Sequence, residues 1–255
     1  MKSLELTLPS PAENLACDEA LLDWCEETGG DEILRFWESP EYFVVVGYAN
    51  KISTEVNVPA CATRKIPVYR RCSGGGTVIQ GPGCLSYALI LRIEDKSPLA
   101  GITTANHFIM EKNRQAIQSL FPGSQTPDPR PDITVRGHTD LALATRHPSP
   151  AALQKFSGNS QRRRKNHLLF HGTFLLDFDL KLAGECLNMP SKQPDYRSDR
   201  SHDDFITNLN LSVENVKTAM KKVWQAETTL KNPPLEKLSA LAREKYSTQE
   251  WNWKF

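Results

Sequence analysis

Arg70-Arg71-Cys72-Ser73-Gly74-Gly75-Gly76-Thr77 is the stretch on which the reading of this chain turns. Two adjacent arginines run into a serine and three consecutive glycines. Strand-like sequence flanks them, Ile66-Pro67-Val68-Tyr69 before and Thr77-Val78-Ile79-Gln80 after. Glycines open backbone conformations closed to other residues and let a ligand approach main-chain N–H groups. Successive N–H groups facing one way form an anion nest, to which two guanidinium groups add fixed charge. The stretch therefore suits a phosphate or a carboxylate. Taken alone, it also fits a glycine-rich hairpin turn.

The rest of the chain provides ample core for such a site. Its 255 residues are 39% hydrophobic and 24% charged, an ordinary soluble composition. A net charge of +1 argues against bulk affinity for nucleic acid. No run approaches the roughly 20 apolar residues of a membrane span, and the N-terminus lacks a signal-peptide pattern. Cys17, Cys25, Cys61, Cys72, Cys84 and Cys186 are scattered without a Cys-x-x-Cys pair. That usage fits reduced thiols in a cytoplasmic protein better than disulfides or a zinc site.

Working outward, Ser10-Pro11 caps a helix whose apolar positions run from Leu15 to Trp24 and which Gly29-Gly30 ends. Ile33 to Trp37 and Tyr42 to Tyr48 read as paired strands, and Val56 to Thr63 as a short helix. A buried strand is expected over Leu85 to Leu91, and a helix from Thr103-Thr104 to about Leu120. Ile133 to Val135, Leu141 to Leu143, Phe156 and Leu168 to Leu176 continue the strands. A proline-rich loop over 121–131 and a polar connection over 145–150 interrupt them. Asp177 to Asn188 suggests a helix, Met189 to Asp204 a polar surface loop, and Ser212 onward two further helices. Interleaved strands and helices with several hairpins favour an α+β fold with a mixed, mostly antiparallel sheet.

Two further clusters carry chemistry. Lys155-Phe156-Ser157-Gly158 places a cation beside flexible backbone, where it can face negative charge developing on an oxygen. His171-Gly172-Thr173 lies inside an apolar run, where a histidine is either a hydrogen-bonded core residue or a catalyst. No carboxylate is spaced along the sequence to form a relay with it, and no His-x-x-x-His pair marks a metal site.

In this order the three motifs resemble the biotin/lipoate protein ligase and transferase superfamily, and most of all the catalytic domain of lipoate–protein ligases. Asn14-Leu15-Ala16, Arg35-Phe36-Trp37, Val44-Val45-Val46-Gly47 and Phe205-Ile206-Thr207-Asn208-Leu209 extend the likeness over nearly the whole chain. The resemblance implies a single catalytic domain over 1–255 without a C-terminal accessory domain. Its leading implication is a ligase that activates lipoate or octanoate with ATP to an acyl-adenylate and passes the acyl group to a lysine of a carrier domain. Arg70, Arg71, Ser73, Gly74, Gly75, Gly76, Thr77, Val78, Ile79 and Asp140 would then hold the nucleotide, with Mg²⁺ expected on the triphosphate and no protein-bound metal. Lys155 would be the catalytic cation, bridging acyl carbonyl and α-phosphate. Ser157, Gly158, His171 and Gly172 would line the acyl pocket with it. Expected partners are apo lipoyl domains, of a 2-oxoacid dehydrogenase E2 or a glycine-cleavage H-like protein. A separate small accessory protein is a further implied partner.

Departures from the pattern matter. Gly137-His138-Thr139-Asp140 keeps only the first and last residues of the motif that precedes the lysine. The alternative implied by the same family is an octanoyl- or lipoyl-transferase working through a cysteine thioester. No cysteine lies between Cys84 and Lys155, which leaves Cys186 and Cys72 as candidates, the latter with guanidinium neighbours expected to acidify it. A third implication is a non-catalytic subunit that binds acyl groups or lipoyl domains. Arg162-Arg163-Arg164-Lys165 is either a solvated hairpin face or a docking patch for an acidic carrier. Lys192 to His202 is either a surface loop or a lid over the site.

Overall fold

The computed structural model of the protein describes residues 1–121, 131–144 and 153–255. Both sequence-predicted connections, over 121–131 and 145–150, fall largely outside them. Among the described residues, the α+β expectation holds in a large sheet of eight strands and a small sheet of three. The large sheet runs in the order β11 (Thr228–Thr229), β1 (Lys2–Glu5), β2 (Ile33–Trp37), β6 (Cys84–Arg92), β10 (His167–Leu175), β9 (Leu153–Arg163), β8 (Asp140–Ala144), β7 (Ile133–Arg136). Its pairings are antiparallel except those of β1 with β2 and β11.

Helices cover both faces of this sheet, so its central strands are buried on both sides. Alternation along β10 sorts its residues: Leu168 and Phe170 join a core with the helices Ile102–Gln118 and Val213–Trp224. Leu169, with Ala88 and Ile90, packs instead on the opposite face, against the helix Pro11–Thr28. That first helix starts on a complete capping box, Ser10 with Glu13, and stops at Gly29 in the left-handed conformation, as its sequence foretells. The Ile102–Gln118 helix departs in detail: Gly101 stands at its N-cap instead of a threonine.

Two local expectations fail, for one reason. Ile33–Trp37 and the strand after Pro40, β3 (Phe43–Val46), do not pair; the intervening turn carries the chain from the large sheet to the small one. In the small sheet, β4 (Val68–Arg70) and β5 (Val78–Gln80) lie on opposite sides of β3. The glycine loop is therefore not a hairpin turn. It crosses over the end of β3, tied there by Arg71 N–H to the Val46 carbonyl at 3.1 Å and by Tyr48 N–H to the Ser73 carbonyl at 2.8 Å. This crossing sets the loop against the large sheet, beside β9 and β10.

Candidate active site

Strand register lays the floor of the site. Arg35 of β2 and His171 of β10 both stand opposite Ala88 of β6, and Ser160 of β9 stands opposite His171. Directly opposed residues share a face of the sheet, so these four side chains form one row beneath the first helix. Asp18 descends from that helix over the small Ala88. One carboxylate oxygen accepts from Arg35 Nη1 at 2.6 Å and the other lies 2.9 Å from His171 Nδ1. Arg35 is fixed in turn by the carbonyls of Asn14 and Leu6 and by the Asn14 side chain. Burial alone would raise the Asp18 carboxyl, but Arg35 and then His171 outweigh it and hold the group below its ordinary range.

On its other side, His171 Nε2 lies 2.6 Å from Ser73 Oγ, which is also 2.8 Å from Ser160 Oγ and accepts from Arg71 Nε at 3.1 Å. His171 thus does have a carboxylate relay, against the expectation from sequence. Its acid comes from 153 residues earlier in the chain, a separation that no local spacing reveals. Asp18, Ser160 and Arg35 are the residues that sequence reasoning missed. The available signal was Asn14 and Asp18, polar groups one helical turn apart among the buried positions of the first helix.

A cavity of about 820 Å³ opens above this floor. Trp37, Val45, Tyr87, Leu175 and Phe178 give it apolar walls. Lys155 lines it too, its ammonium 2.7 Å from Asp140, which also accepts from the Tyr196 hydroxyl at 2.9 Å. A bulge sets Ser157 opposite Leu141 and Lys155 opposite Ala142, leaving Phe156 as the extra residue that enters the core. The Lys155 side chain packs back under Gly158, so close that a Cβ there would lie 2.8 Å from Nζ.

Most of the expected site residues gather here. Arg71, Gly75, Gly76, Thr77, Val78 and Ile79 contribute one wall; Asp140, Lys155, Ser157, Gly158, His171 and Gly172 contribute the facing one. Ser73 is buried just behind the surface, and Gly74 is exposed outside it. Arg70 is elsewhere: its guanidinium donates to the carbonyls of Gly47, Tyr48, Asn50 and Trp251, clamping the C-terminal helix Gln249–Asn252. Arg71 is occupied as well. Nη2 donates to the carbonyls of Gly74 at 2.5 Å and Gly76 at 2.7 Å. Burial lowers its guanidinium only to about 10, so it remains charged while it holds the loop. Gly75 has φ +85, and a Cβ on Gly47 would meet its carbonyl oxygen at 2.2 Å, which fixes why both must be glycine.

The expected surface loop after Met189 in fact borders the cavity, through Lys192, Tyr196, Arg197 and His202, with Arg197 buried. The basic run is less free than its sequence implies. Arg163 donates to the Leu99 and Ala100 carbonyls, and Arg164 pairs with Asp23 and Glu19.

None of the six cysteines lines the cavity, and all six are buried. Burial pushes the thiols of Cys25, Cys61, Cys72 and Cys84 to about 12 and that of Cys17 to about 11, and raises Cys186. The acidification expected for Cys72 is reversed. Its thiol lies among Leu21, Leu22 and Ala88 on the helix side, and the neighbouring Glu19 carboxylate pushes it the same way as burial.

With this geometry in hand, similarity to known proteins becomes informative. The model of the lipoyl protein ligase A/B catalytic domain matches residues 10–226. The chain belongs to that family. Among its relatives, the octanoyltransferase LipM of Halalkalibacterium halodurans is 27% identical, the match covering 96% of this chain and 95% of that protein. LipM of Bacillus subtilis is 26% identical over the same shares. Among solved structures, a bipartite lipoate protein ligase of Thermoplasma acidophilum superposes with TM-score 0.79 at 22% identity, covering 99% of this chain and 95% of that one. A lipoate–protein ligase A bound with ATP superposes with TM-score 0.73 at 24% identity, covering 99% and 98%. At such identities the two structures establish the fold alone.

Within the family, the relatives overturn the leading expectation. Full-length matches named octanoyltransferase favour the transferase branch over the ATP-dependent ligase. Arg70 and Arg71, the guanidinium groups assigned to the nucleotide phosphate, are both bonded to backbone carbonyls. The relatives lend no support to ATP, its Mg²⁺ or an acyl-adenylate. Among the described residues, no helix is long and apolar enough to cross a membrane.

Proposed function

We propose that this protein is an acyltransferase that moves an octanoyl-type group from a carrier thioester to a lysine of a lipoyl-carrier domain, with no nucleotide in the reaction. The observation that carries the reading is the octanoyltransferase likeness along 96% of the chain. The cavity supports it, because its apolar walls meet a buried polar floor and a cation. Six methylenes at about 0.8 kcal/mol each offer roughly 5 kcal/mol of transfer free energy to hold an eight-carbon chain. Lys155, oriented by Asp140, supplies positive charge for the oxyanion that forms when the acyl carbonyl becomes tetrahedral. The acceptor is a lipoyl domain, of an E2 subunit or an H-like protein. The Thermoplasma ligase described with its E2 lipoyl domain supports that class of partner.

The test is incubation with an octanoyl carrier-protein thioester and an apo lipoyl domain, followed by intact mass. Mass gain on the lipoyl domain without ATP is the expected result. Lys155→Ala should lower the rate on the order of 10²–10³-fold, with unchanged melting. Modification that appears only with free octanoate and ATP would overturn the reading.

A further inference from the structure

The segment that follows Met189 does more than border the cavity, because it is tied down at three points. At its start, Asn188 N–H donates to the Glu55 carbonyl at 3.0 Å, and Ser191 bonds the buried Glu55 carboxylate through both its N–H and its hydroxyl. At its end, Thr207 N–H donates to the Lys155 carbonyl at 2.9 Å, where Ile206 lies beside Lys155 in a parallel bridge. Between these anchors the Tyr196 hydroxyl donates to Asp140 Oδ2 at 2.9 Å. Arg200 holds the Tyr196 carbonyl at 2.8 Å, and the Tyr196 ring packs on Phe205 with centroids 5.1 Å apart.

Asp140 therefore serves two donors, one on each oxygen: Lys155 Nζ on Oδ1 at 2.7 Å and the Tyr196 hydroxyl on Oδ2. The terminal torsion of an aspartate is broad and nearly two-fold, so one flexible lysine does not select a carboxylate orientation. A second donor on the other oxygen does. Backbone bounds the ammonium on its remaining side, where a Cβ on Gly158 would lie 2.8 Å from both Cε and Nζ of Lys155. Burial, and then the Asp140 carboxylate, raise the Tyr196 hydroxyl above its ordinary value, so it keeps its proton and stays a donor. We propose that Tyr196 is a positioning residue for acyl transfer, orienting the Asp140 carboxylate and through it the Lys155 ammonium toward the oxyanion. The inference rests on the acyltransferase reading above.

Tyr196 makes and breaks no bond in the reaction; its effect is to fix charge in place before the oxyanion forms, when reorientation would otherwise add to the barrier. The local backbone is built to hold that hydroxyl. Ser198 and Asp199, two residues further on, both take left-handed conformations, with φ 51 and 56. Such residues persist where their surroundings over-determine them. Here the buried Arg197 donates from Nε to the Arg200 carbonyl at 3.0 Å and lies over the Phe205 ring at 4.8 Å, while Arg200 N–H returns to the Arg197 carbonyl at 3.2 Å. The same segment ends on the Lys155 backbone, so its path across the cavity and the placement of the cation are one arrangement. A displaced segment would release Asp140 Oδ2 and the Lys155 carbonyl together.

The experiment measures steady-state octanoyl transfer from the carrier thioester to a lipoyl domain by the full chain, by Tyr196→Phe, by Asp140→Ala and by the double variant, with thermal melting alongside. Tyr196→Phe keeps the ring on Phe205 and removes only the hydroxyl. It should lower kcat roughly 10–100-fold and leave KM for the thioester within about two-fold, with melting unchanged. In the Asp140→Ala background the same substitution should change kcat by less than about two-fold, because the hydroxyl then has no carboxylate to act through. A merely structural role would not show this split: a loosened segment lowers melting and costs the same with or without Asp140. Equal losses of kcat in the two backgrounds would therefore overturn the proposal. So would a raised KM at unchanged kcat, which marks a substrate-binding residue, or a Tyr196→Phe protein as fast as the wild type. Each of these leaves the acyltransferase reading intact. If the wild-type protein itself transfers no octanoyl group from the thioester, that reading fails, and the proposal with it.

Discussion

Asp18→Asn isolates the electrostatics beneath the site, because it keeps the shape of the side chain and removes only its charge. Arg35 is fully buried, and Asp18, at 2.6 Å, is its ion-pair partner among the described residues. In the variant the carbonyls of Asn14 and Leu6 still receive the guanidinium, but a buried charge is left uncompensated. Breaking such a pair from one side costs about 3–5 kcal/mol. For a chain of this size about 2–4 °C of melting temperature accompanies each kcal/mol, so the expected loss is roughly 6–20 °C. Thermal melting and urea titration measure it. A double-mutant cycle identifies the cause: Arg35→Met combined with Asp18→Leu should be less destabilised than Asp18→Asn alone, since the pair then leaves together. The pH dependence has a definite sign. The folded protein holds the Asp18 carboxyl below its ordinary range, so on acidification the unfolded chain takes up that proton first. The contribution is complete at neutral pH and lost as pH falls through the folded-state value; Asp18→Asn should flatten that acid limb. Melting within about 1 °C of wild type, or strictly additive effects in the cycle, would refute the account.

Two further outcomes follow from packing. Gly172→Ala would place a Cβ 1.8 Å from Asn159 Oδ1 and 2.6 Å from the Gly158 carbonyl, which displaces the bond that Asn159 accepts from Tyr87 at 2.6 Å. Overpacking and a lost buried hydrogen bond together cost roughly 2–6 kcal/mol by urea titration, and less in an Asn159→Ala background; an equal cost in both backgrounds would exclude this clash. The six buried thiols should react with a disulfide reagent at neutral pH only after denaturation; one thiol that reacts at once in the native protein contradicts their placement.

Elements were legible where a local rule decides them. Ser10, Pro11 and Gly29 mark both ends of the first helix because capping is a matter of neighbouring residues. Strand existence could be read from branched and aromatic runs, but strand partners could not. The expected pairing of Ile33–Trp37 with the next strand rested on proximity in sequence, whereas β2 finds its partners in β1 and β6 and β3 finds its own in β4 and β5. The site divides the same way. Lys155, His171 and the glycine loop stand out by composition. Asp18 and Ser160 do not, because what brings them to the site is register: His171 opposite both Ala88 and Ser160, with a helix crossing above. Arg70 and Arg71 stand out by their charge, but sequence does not show the backbone carbonyls that both guanidinium groups face.

Those carbonyls also bear on which acyl donor the site accepts. For a phosphate to take Arg71 Nη2, it must displace the Gly74 and Gly76 carbonyls, two bonds to a charged group at about 1.5–3 kcal/mol each, or roughly 3–6 kcal/mol in all. The loop would have to reshape as well, since Gly75 sits against both Arg71 and Ser160. That same reshaping would pull at Arg71 Nε, which bonds Ser73 Oγ at 3.1 Å. A thioester demands none of this. It is neutral, its alkyl chain needs only the apolar wall, and its carbonyl can meet Lys155 while the arginine keeps the loop as it stands. The glycine loop then works as a rigid wall of the cavity, held in shape by the arginine whose charge its sequence offers to an anion.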